Sequence, residues 1–560
     1  MYDENVVKEN GAPGAWVLEA GEYVFSVGNG AHEALNNVLA MRRGSAEGLF
    51  INEGETVNSE NTQLWSLSAT DIETYSQNVT NAFEDCNINR LIEGTVVYTT
   101  RTDWTKGWIP VQAITPTDAM MTALTNRTYP LHDNGDGLTW GADNHLQLVD
   151  MLLLDDQGQY SGVLPFDDPQ WDMLIDEITL DEAIAFLGSG GHNIPSINLP
   201  ETFRNDGPTG FARDQVGGYF VRWNENNAGE PTYVKESDDK AAYSMQILPT
   251  EPVLAATFDT ELARRVGEIL GEDALWANED GILTPGLNLH RNPYCARNHE
   301  YFSEDAMLTN LMGVSLCAGG KFKGLMMQPK HLAFNHQELN RSGVSTYFCE
   351  QAARENELRA FQGVCESNEA QGIMTAFNRL GAQFAGAHEG MLIQVLRTEW
   401  GFLGWVTTDM INGSEYMNWR ATVYAGGGNS LTDTAFDSSQ IGKMADSKAL
   451  IERDTAFQAR MKEMLKYWAY NCASSSAING FAKSSRLVYV RTWWQNALVA
   501  VDIGFAIMTV VAAAFYVLNT KKKKSNGIKS RGKASEKEAE NGSKCARGKE
   551  EGNTNLSPDG

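Results

Sequence analysis

Four short apolar runs, Gly281–Leu289, Gly324–Met327, Gly372–Phe377 and Gly404–Thr407, set the tightest limit on what this chain can become. They lie a few tens of residues apart with room for a helix between them, and several end in a polar residue. Repeated βα units have that arithmetic. It predicts an α/β fold, a (β/α)8 TIM-type barrel over residues 168–440, with its chemistry where strands end and βα loops begin. One intervening helix can be read directly: Asp259 as its cap, Leu262, Val266, Ile269 and Leu270 on one face, and Gly271 as its stop.

On either side of the barrel the pattern changes. Residues 1–98 hold alternating stretches such as Tyr23-Val24-Phe25-Ser26-Val27 between Gly, Asn and Asp clusters, which predicts a small β-rich module. Residues 99–167 keep no period but carry Trp104, Trp108 and Trp140, as expected of a segment that wraps a neighbour. Residues 441–490 read as helical. The run 497–518 is almost wholly apolar and, at about 1.5 Å per residue, long enough to cross a bilayer as a transmembrane helix. Trp493 and Trp494 precede it and four lysines, 521–524, follow it. The positive-inside rule then puts the body outside the cell and the tail, 519–560, disordered in the cytoplasm, in a single-pass arrangement. Asp502 is costly in lipid but lies near the outer end, and a buried helix of a soluble domain is the competing reading.

Asp and Glu number 72 against 45 Lys and Arg, so the main body lacks the basic surface that nucleic acid demands, and neutral ligands such as sugars suit it better. Seven scattered cysteines, with no Cys-x-x-Cys pair, support neither a zinc site nor a disulfide framework. No phosphate-binding Gly loop or spaced metal cluster stands out, so no cofactor and no metal is expected.

Several segments, in one order between Asn205 and Asn429, resemble glycoside hydrolase family 3, the barrel domain of β-glucosidases. They are Asn205-Asp206-Gly207-Pro208-Thr209-Gly210, Thr284 to Pro293, Arg297 to Asp305, Pro329-Lys330-His331-Leu332-Ala333-Phe334-Asn335, Gln337 to Arg341, Met374-Thr375-Ala376-Phe377-Asn378, and Arg397 to Met410. The resemblance implies a retaining glycosidase that removes terminal β-D-glucosyl residues through a covalent glycosyl-enzyme, with Asp409 as nucleophile. It implies sugar-binding roles for Asp206, Arg291, Lys330, His331 and Arg341. Against these stand plainer readings: a surface or capping aspartate at 409, a turn residue at 206, and for Arg291 and Arg341 ion pairs with Glu300, Glu304 or Glu338. Lys330 and His331 are adjacent, so a local turn is needed for both to face a ligand. Glu300, Glu304, Asp305 and Glu399 read as structural, and Trp400 and Trp405 as sugar platforms or core.

The chain departs from the family in two ways. Ala296 stands where Gly is usual, and no α/β sandwich supplying a general acid/base follows the barrel. In a rearranged branch that sandwich precedes the barrel, and residues 1–98 look like its tail. No acid/base residue can be named. With no secretory signal at Met1–Asn5, this predicts that the chain is the C-terminal portion of a longer or split protein. The alternative to an active enzyme is a membrane-tethered sugar-binding protein, or one subunit of a split glycosidase, inactive without an α/β-sandwich partner.

Overall fold

A computed structural model of the chain describes residues 1–96, 113–126, 132–187, 193–211, 219–223, 231–235, 247–411, 416–426, 428–429, 448–485 and 493–540. They fall into two compact units, Met1–Arg486 and Leu487–Gly560.

In the first unit, β1 (Tyr2–Val7) pairs antiparallel with β2 (Pro13–Trp16). The second pair joins β3 (Gly21–Ser26) to β4 (Thr62–Leu67), with helix α1 (Ala31–Arg43) between them in the chain and packed against both strands. These strands belong to the same unit as the barrel, and β1 and the segment after β4 are bonded to it. The Tyr2 N–H donates to Glu355 at 2.7 Å, and Ala82 and Phe83 donate to Glu350 at 3.0 and 2.8 Å. Farther on, helix α2 (Asp118–Thr125) is capped by Thr117. Trp140 reaches Gln458 at 2.7 Å, whereas Trp104 and Trp108 lie outside the described residues.

The barrel strands run parallel in chain order, as TIM-type βα connectivity requires. β5 (Arg204–Asp206) is followed by α3 (Thr260–Ala277), β6 (Gly281–Leu283), α4 (Ala306–Phe322) and β7 (Met326–Met327), with β6 lying between β5 and β7. Next come α5 (Leu358–Glu366), β8 (Gly372–Thr375) and β9 (Trp405–Thr408), the last two paired from Gly372↔Trp405 to Thr375↔Thr408. A parallel bridge, Leu332↔Thr375, ties the β7 segment to β8, and Thr407↔Asn429 continues the arc beyond β9. Every residue of β8 and β9 is buried, as strands covered on both faces must be. The ladders are shorter than the apolar runs that announced them. Pro285, for example, has no N–H with which to extend β6.

Helix α3 corrects one sequence expectation. Asp259 does cap it, accepting from the Leu262 N–H at 2.9 Å, but Gly271 does not stop it. The helix runs on to Ala277 and ends at Asn278 in the left-handed conformation, φ 58°. Its buried face is Ala263, Val266, Gly267, Leu270 and Gly271, while Leu262 and Ile269 point outward. The glycines are contact surfaces. A Cβ on Gly267 would lie 2.1 Å from the Leu316 carbonyl oxygen, and one on Gly271 2.4 Å from Lys323 Cβ, so α3 and α4 approach as only glycine permits. Hydrophobicity alone put two larger residues on the wrong side.

Helix α6 (Thr455–Ala473), capped by Asp454, buries Phe457, Met461, Leu465, Trp468 and Cys472. Trp405 is 1% exposed, with its ring edge-on to Trp468 at 4.9 Å, so of the two readings it is core. The second unit contains helix α7 (Trp493–Glu540), whose segment Asn496–Lys522 is long and apolar enough to cross a membrane.

Candidate active site

Strand β9 ends at Thr408, and the next residue is Asp409, whose N–H donates to the Thr375 carbonyl at 3.0 Å. The backbone ladder therefore fixes the Asp409 Cα at the C-terminal end of the β8–β9 pair. Its side chain is 12% exposed. The Met410 N–H donates to Oδ1 at 2.7 Å, and His331 Nε2 stands 3.4 Å from Oδ2. Burial pushes the carboxyl above its ordinary pKa; the Met410 N–H and the cations Arg297, Arg341 and Lys330 pull down without cancelling that rise.

Lys330 and His331 are joined by a cis peptide, and both side chains belong to the cluster. The Lys330 ammonium is buried; it pairs with Asp206 and lies 3.9 Å from Glu300. Asp206 is the last residue of β5, 41% exposed at its side chain, so its carboxylate spans buried lysine and open space. His331 is held neutral: burial, then Arg297, Lys330 and Arg341, drives its pKa well below the usual value. A neutral imidazole carries one ring proton, which can serve Asp409 or Asn288, 3.4 Å from Nδ1, but not both. Arg341 pairs with Glu338 at 3.0 Å and lies 4.4 Å from the Phe377 ring centre.

Of the residues singled out from sequence, the structure thus brings together Asp206, Lys330, His331, Arg341 and Asp409. Arg291 stands apart, 56% exposed and 3.5 Å from Glu357. Arg297 takes the inner position. It pairs with Glu300, is mostly buried, and acts electrostatically on both Asp409 and His331. It opens the Arg297 to Asp305 segment, four residues after Pro293, but nothing in spacing separates it from Arg291. Asp305 caps α4, accepting from Leu308 at 2.7 Å, and Glu399 pairs with Arg354 at 2.5 Å.

A second convergence lies away from Asp409. Cys86 Sγ is 3.5 Å and Asp85 Oδ1 3.3 Å from His388 Nε2, a spacing compatible with metal ligation. His388 Nδ1, however, accepts the Met391 N–H at 3.1 Å, so the ring proton of the neutral imidazole resides on Nε2. That nitrogen donates toward Asp85 and has no lone pair to offer. The trio ties residues 85–86 to the loop before the helix at Gly390–Glu399.

Residues 240–425 match the family described as Glycosyl hydrolase family 3 N terminal domain. This part of the chain resembles glycoside hydrolase family 3. The chain is 32% identical to Beta-glucosidase A of Butyrivibrio fibrisolvens over 266 residues, 47% of this chain and 28% of that protein. It is 30% identical to an exo-alpha-(1->6)-L-arabinopyranosidase of Bifidobacterium longum over 240 residues, 42% of this chain and 30% of that protein. The family 3 match therefore spans less than a third of these relatives' lengths. Among solved structures, a β-glucosidase from Paenibacillus barengoltzii superposes with a TM-score of 0.56 at 19% identity, covering 85% of this chain and 47% of that one, a likeness of fold.

Proposed function

We propose that the chain is a retaining glycoside hydrolase of the β-glucosidase type in which Asp409 is the nucleophile. The observation that carries this reading is a buried carboxylate at a barrel strand's C-terminal end, facing a neutral histidine and surrounded by three cations. In the first step an Asp409 oxygen attacks the anomeric carbon as the bond to the leaving oxygen breaks, giving a glycosyl ester; in the second, water releases the sugar and regenerates the carboxylate. Arg297, Arg341 and Lys330 favour the ionised form that attacks. Asp206 and Lys330 receive the sugar hydroxyls as acceptor and donor, with His331 and Arg341 beside them and Arg291 at the rim. β-Glucose is the favoured sugar; the arabinopyranosidase relative makes pocket shape the deciding factor.

The general acid/base comes, in this reading, from an α/β-sandwich partner. Its support is that the matches cover only 28% and 30% of the two relatives. The same fact favours, as a second reading, a tethered sugar-binding subunit that is inactive alone. We further propose that Asn496–Lys522 anchors the body outside the membrane, with Lys521 and Lys522 on the cytoplasmic side; protease cleavage of the body in sealed right-side-out vesicles would be lost if the orientation were reversed.

The test of the chemistry is to incubate the full chain with a 2-deoxy-2-fluoro-β-glucoside of dinitrophenol and map the labelled peptide. That leaving group needs little protonation, so attack is read without the acid. A fluoroglucosyl ester on Asp409 is expected. A folded chain that binds glucose but takes no label would replace the glycosidase reading with the binding one.

A further inference from the structure

Leu262 and Ile269, the two residues of α3 that hydrophobicity assigned to the core, belong to a longer pattern on its outer side. Leu262, Ile269 and Trp276 recur every seven residues and are all exposed, Trp276 to 65%. At 3.6 residues per turn a spacing of seven drifts by only about 20°, so the three form one row along about 21 Å of helix. Between them, also seven apart, stand Arg265 and Glu272, both exposed. Phe322 ends α4 next to Lys323, which reaches Glu272 at 3.0 Å, and adds another exposed ring. Large apolar side chains scattered singly over a surface call for no explanation, but a row of them on one helix marks an interaction face.

The charges along the row say what can cover it. The chain carries a formal net charge of −27, which pushes copies apart over most of the surface. Here the balance is even: Glu261 pairs with Arg264 and Arg265, Glu268 with Arg264, and Glu272 with Lys323. Within the row the sign changes across Ile269, with Arg265 four residues before it and Glu272 three after. A second copy of the helix, turned end for end about Ile269, sets Arg265 of each copy against Glu272 of the other and Leu262 against Trp276. A parallel copy would set like charge on like charge. The present partner of Arg265, Glu261 at 3.3 Å, is exposed, and such pairs contribute little and exchange readily.

We propose that α3 is a self-association face, on which two copies of this chain pair isologously through antiparallel α3 helices with the two-fold axis at Ile269. The pairing leaves both candidate sites open. α3 ends at Ala277 and β6 begins at Gly281, so the C-terminal end of α3 lies where the strands start and its N-terminal end lies toward the mouth that carries Asp409. Antiparallel helices then point the two mouths in opposite directions. The pairing is independent of the glycosidase reading.

The experiment uses the full chain in mild detergent, with Cys545 of the tail replaced by Ser, and oxidation by copper phenanthroline. A disulfide needs Cα atoms within about 7 Å, so only a residue at the axis can join its own copy. Ile269→Cys is expected to give a covalent dimer, and Leu262→Cys, well off the axis, to remain monomeric. Sedimentation over a dilution series adds a readout without new cysteines. Arg265→Glu should weaken the dimer about tenfold, and Arg265→Glu combined with Glu272→Arg should restore it. All four substituted positions are exposed, so the fold is retained. A chain that is monomeric throughout the series, Ile269→Cys that does not cross-link, Leu262→Cys that cross-links as readily, or a double variant as weak as Arg265→Glu overturns the pairing.

Discussion

Two clusters of charged residues lie inside the first unit, and they are built in opposite ways. Around Arg354 every carboxylate oxygen is taken. Glu350 Oε1 accepts from Arg354 and Ala82 at 2.8 and 3.0 Å and Oε2 from Phe83 at 2.8 Å, while Glu399 accepts two bonds from the same guanidinium at 2.5 and 2.9 Å. The Tyr2 ring closes the top, 4.7 Å from the guanidinium. At the barrel mouth, Asn335 Oδ1, Glu338 Oε1, Thr375 Oγ1 and Asn378 Oδ1 are buried without a hydrogen-bond partner among the described residues. A buried acceptor left unpaired costs about 1–3 kcal/mol, so each of these positions calls for a water or a ligand as its partner. The closed cluster has spent its bonding capacity on joining the N-terminal segment to the barrel. The open one retains it, as the proposed sugar site requires.

Substitution in each cluster should separate the two roles. Asp409→Asn should abolish fluoroglucosyl labelling and lower turnover by about 10⁴-fold or more, because the attacking atom is gone. It should also raise the melting temperature, since a carboxylate held at neutral pH against its desolvation penalty is replaced by a neutral amide. Loss of activity together with loss of stability would break the comparison, because the site would then be holding the fold together.

Arg354→Met is the converse. It leaves Glu350 and Glu399 buried and unpaired, which should cost about 3–5 kcal/mol, read as a lower denaturant midpoint. Molecules still folded should label Asp409 at the wild-type rate. A slowed rate per folded molecule would show that the two clusters are coupled.

How far this division could be read from sequence depends on the range of the signal. The βα rhythm was legible because strand cores and helix faces repeat locally, and Asp409 was legible because a motif marks a strand end. The arginine at the site was harder. Arg291 and Arg297 stand six positions apart in one loop, and only the fold shows which one turns inward. The Arg354 cluster was invisible: Glu399 read as structural, but its partner Arg354 and the Thr80 carbonyl that Arg354 also reaches come from distant parts of the chain. Gly271 was misread for a similar reason. A glycine that ends a helix and one that admits a second helix look alike until the neighbour, α4, is in place.

Glu251 provides the finest test, since it lies beneath the open cluster yet is no part of it. Its carboxyl is 2% exposed and accepts from the Gly286 N–H and the Thr284 hydroxyl at 3.3 Å each. Burial raises its pKa well above the ordinary carboxylate value, so it is protonated where its unfolded counterpart is ionised. Glu279, pushed up to about 7, and Asp280, to about 6, behave alike. Each raised value means that the folded state holds more protons than the unfolded state. Stability from these groups is full below their ordinary pKa, about 4, and is lost as pH rises through the folded values. Wild type should therefore melt at falling temperature between about pH 4 and 7. Glu279→Gln and Asp280→Asn together should flatten that slope through about pH 7, and Glu251→Gln should flatten it further, with Asp409 labelling unchanged. If Glu251→Gln instead slows labelling, the open cluster extends one layer deeper than its unpaired acceptors indicate, and a neutral carboxyl under Lys330 belongs to the machinery that holds the sugar.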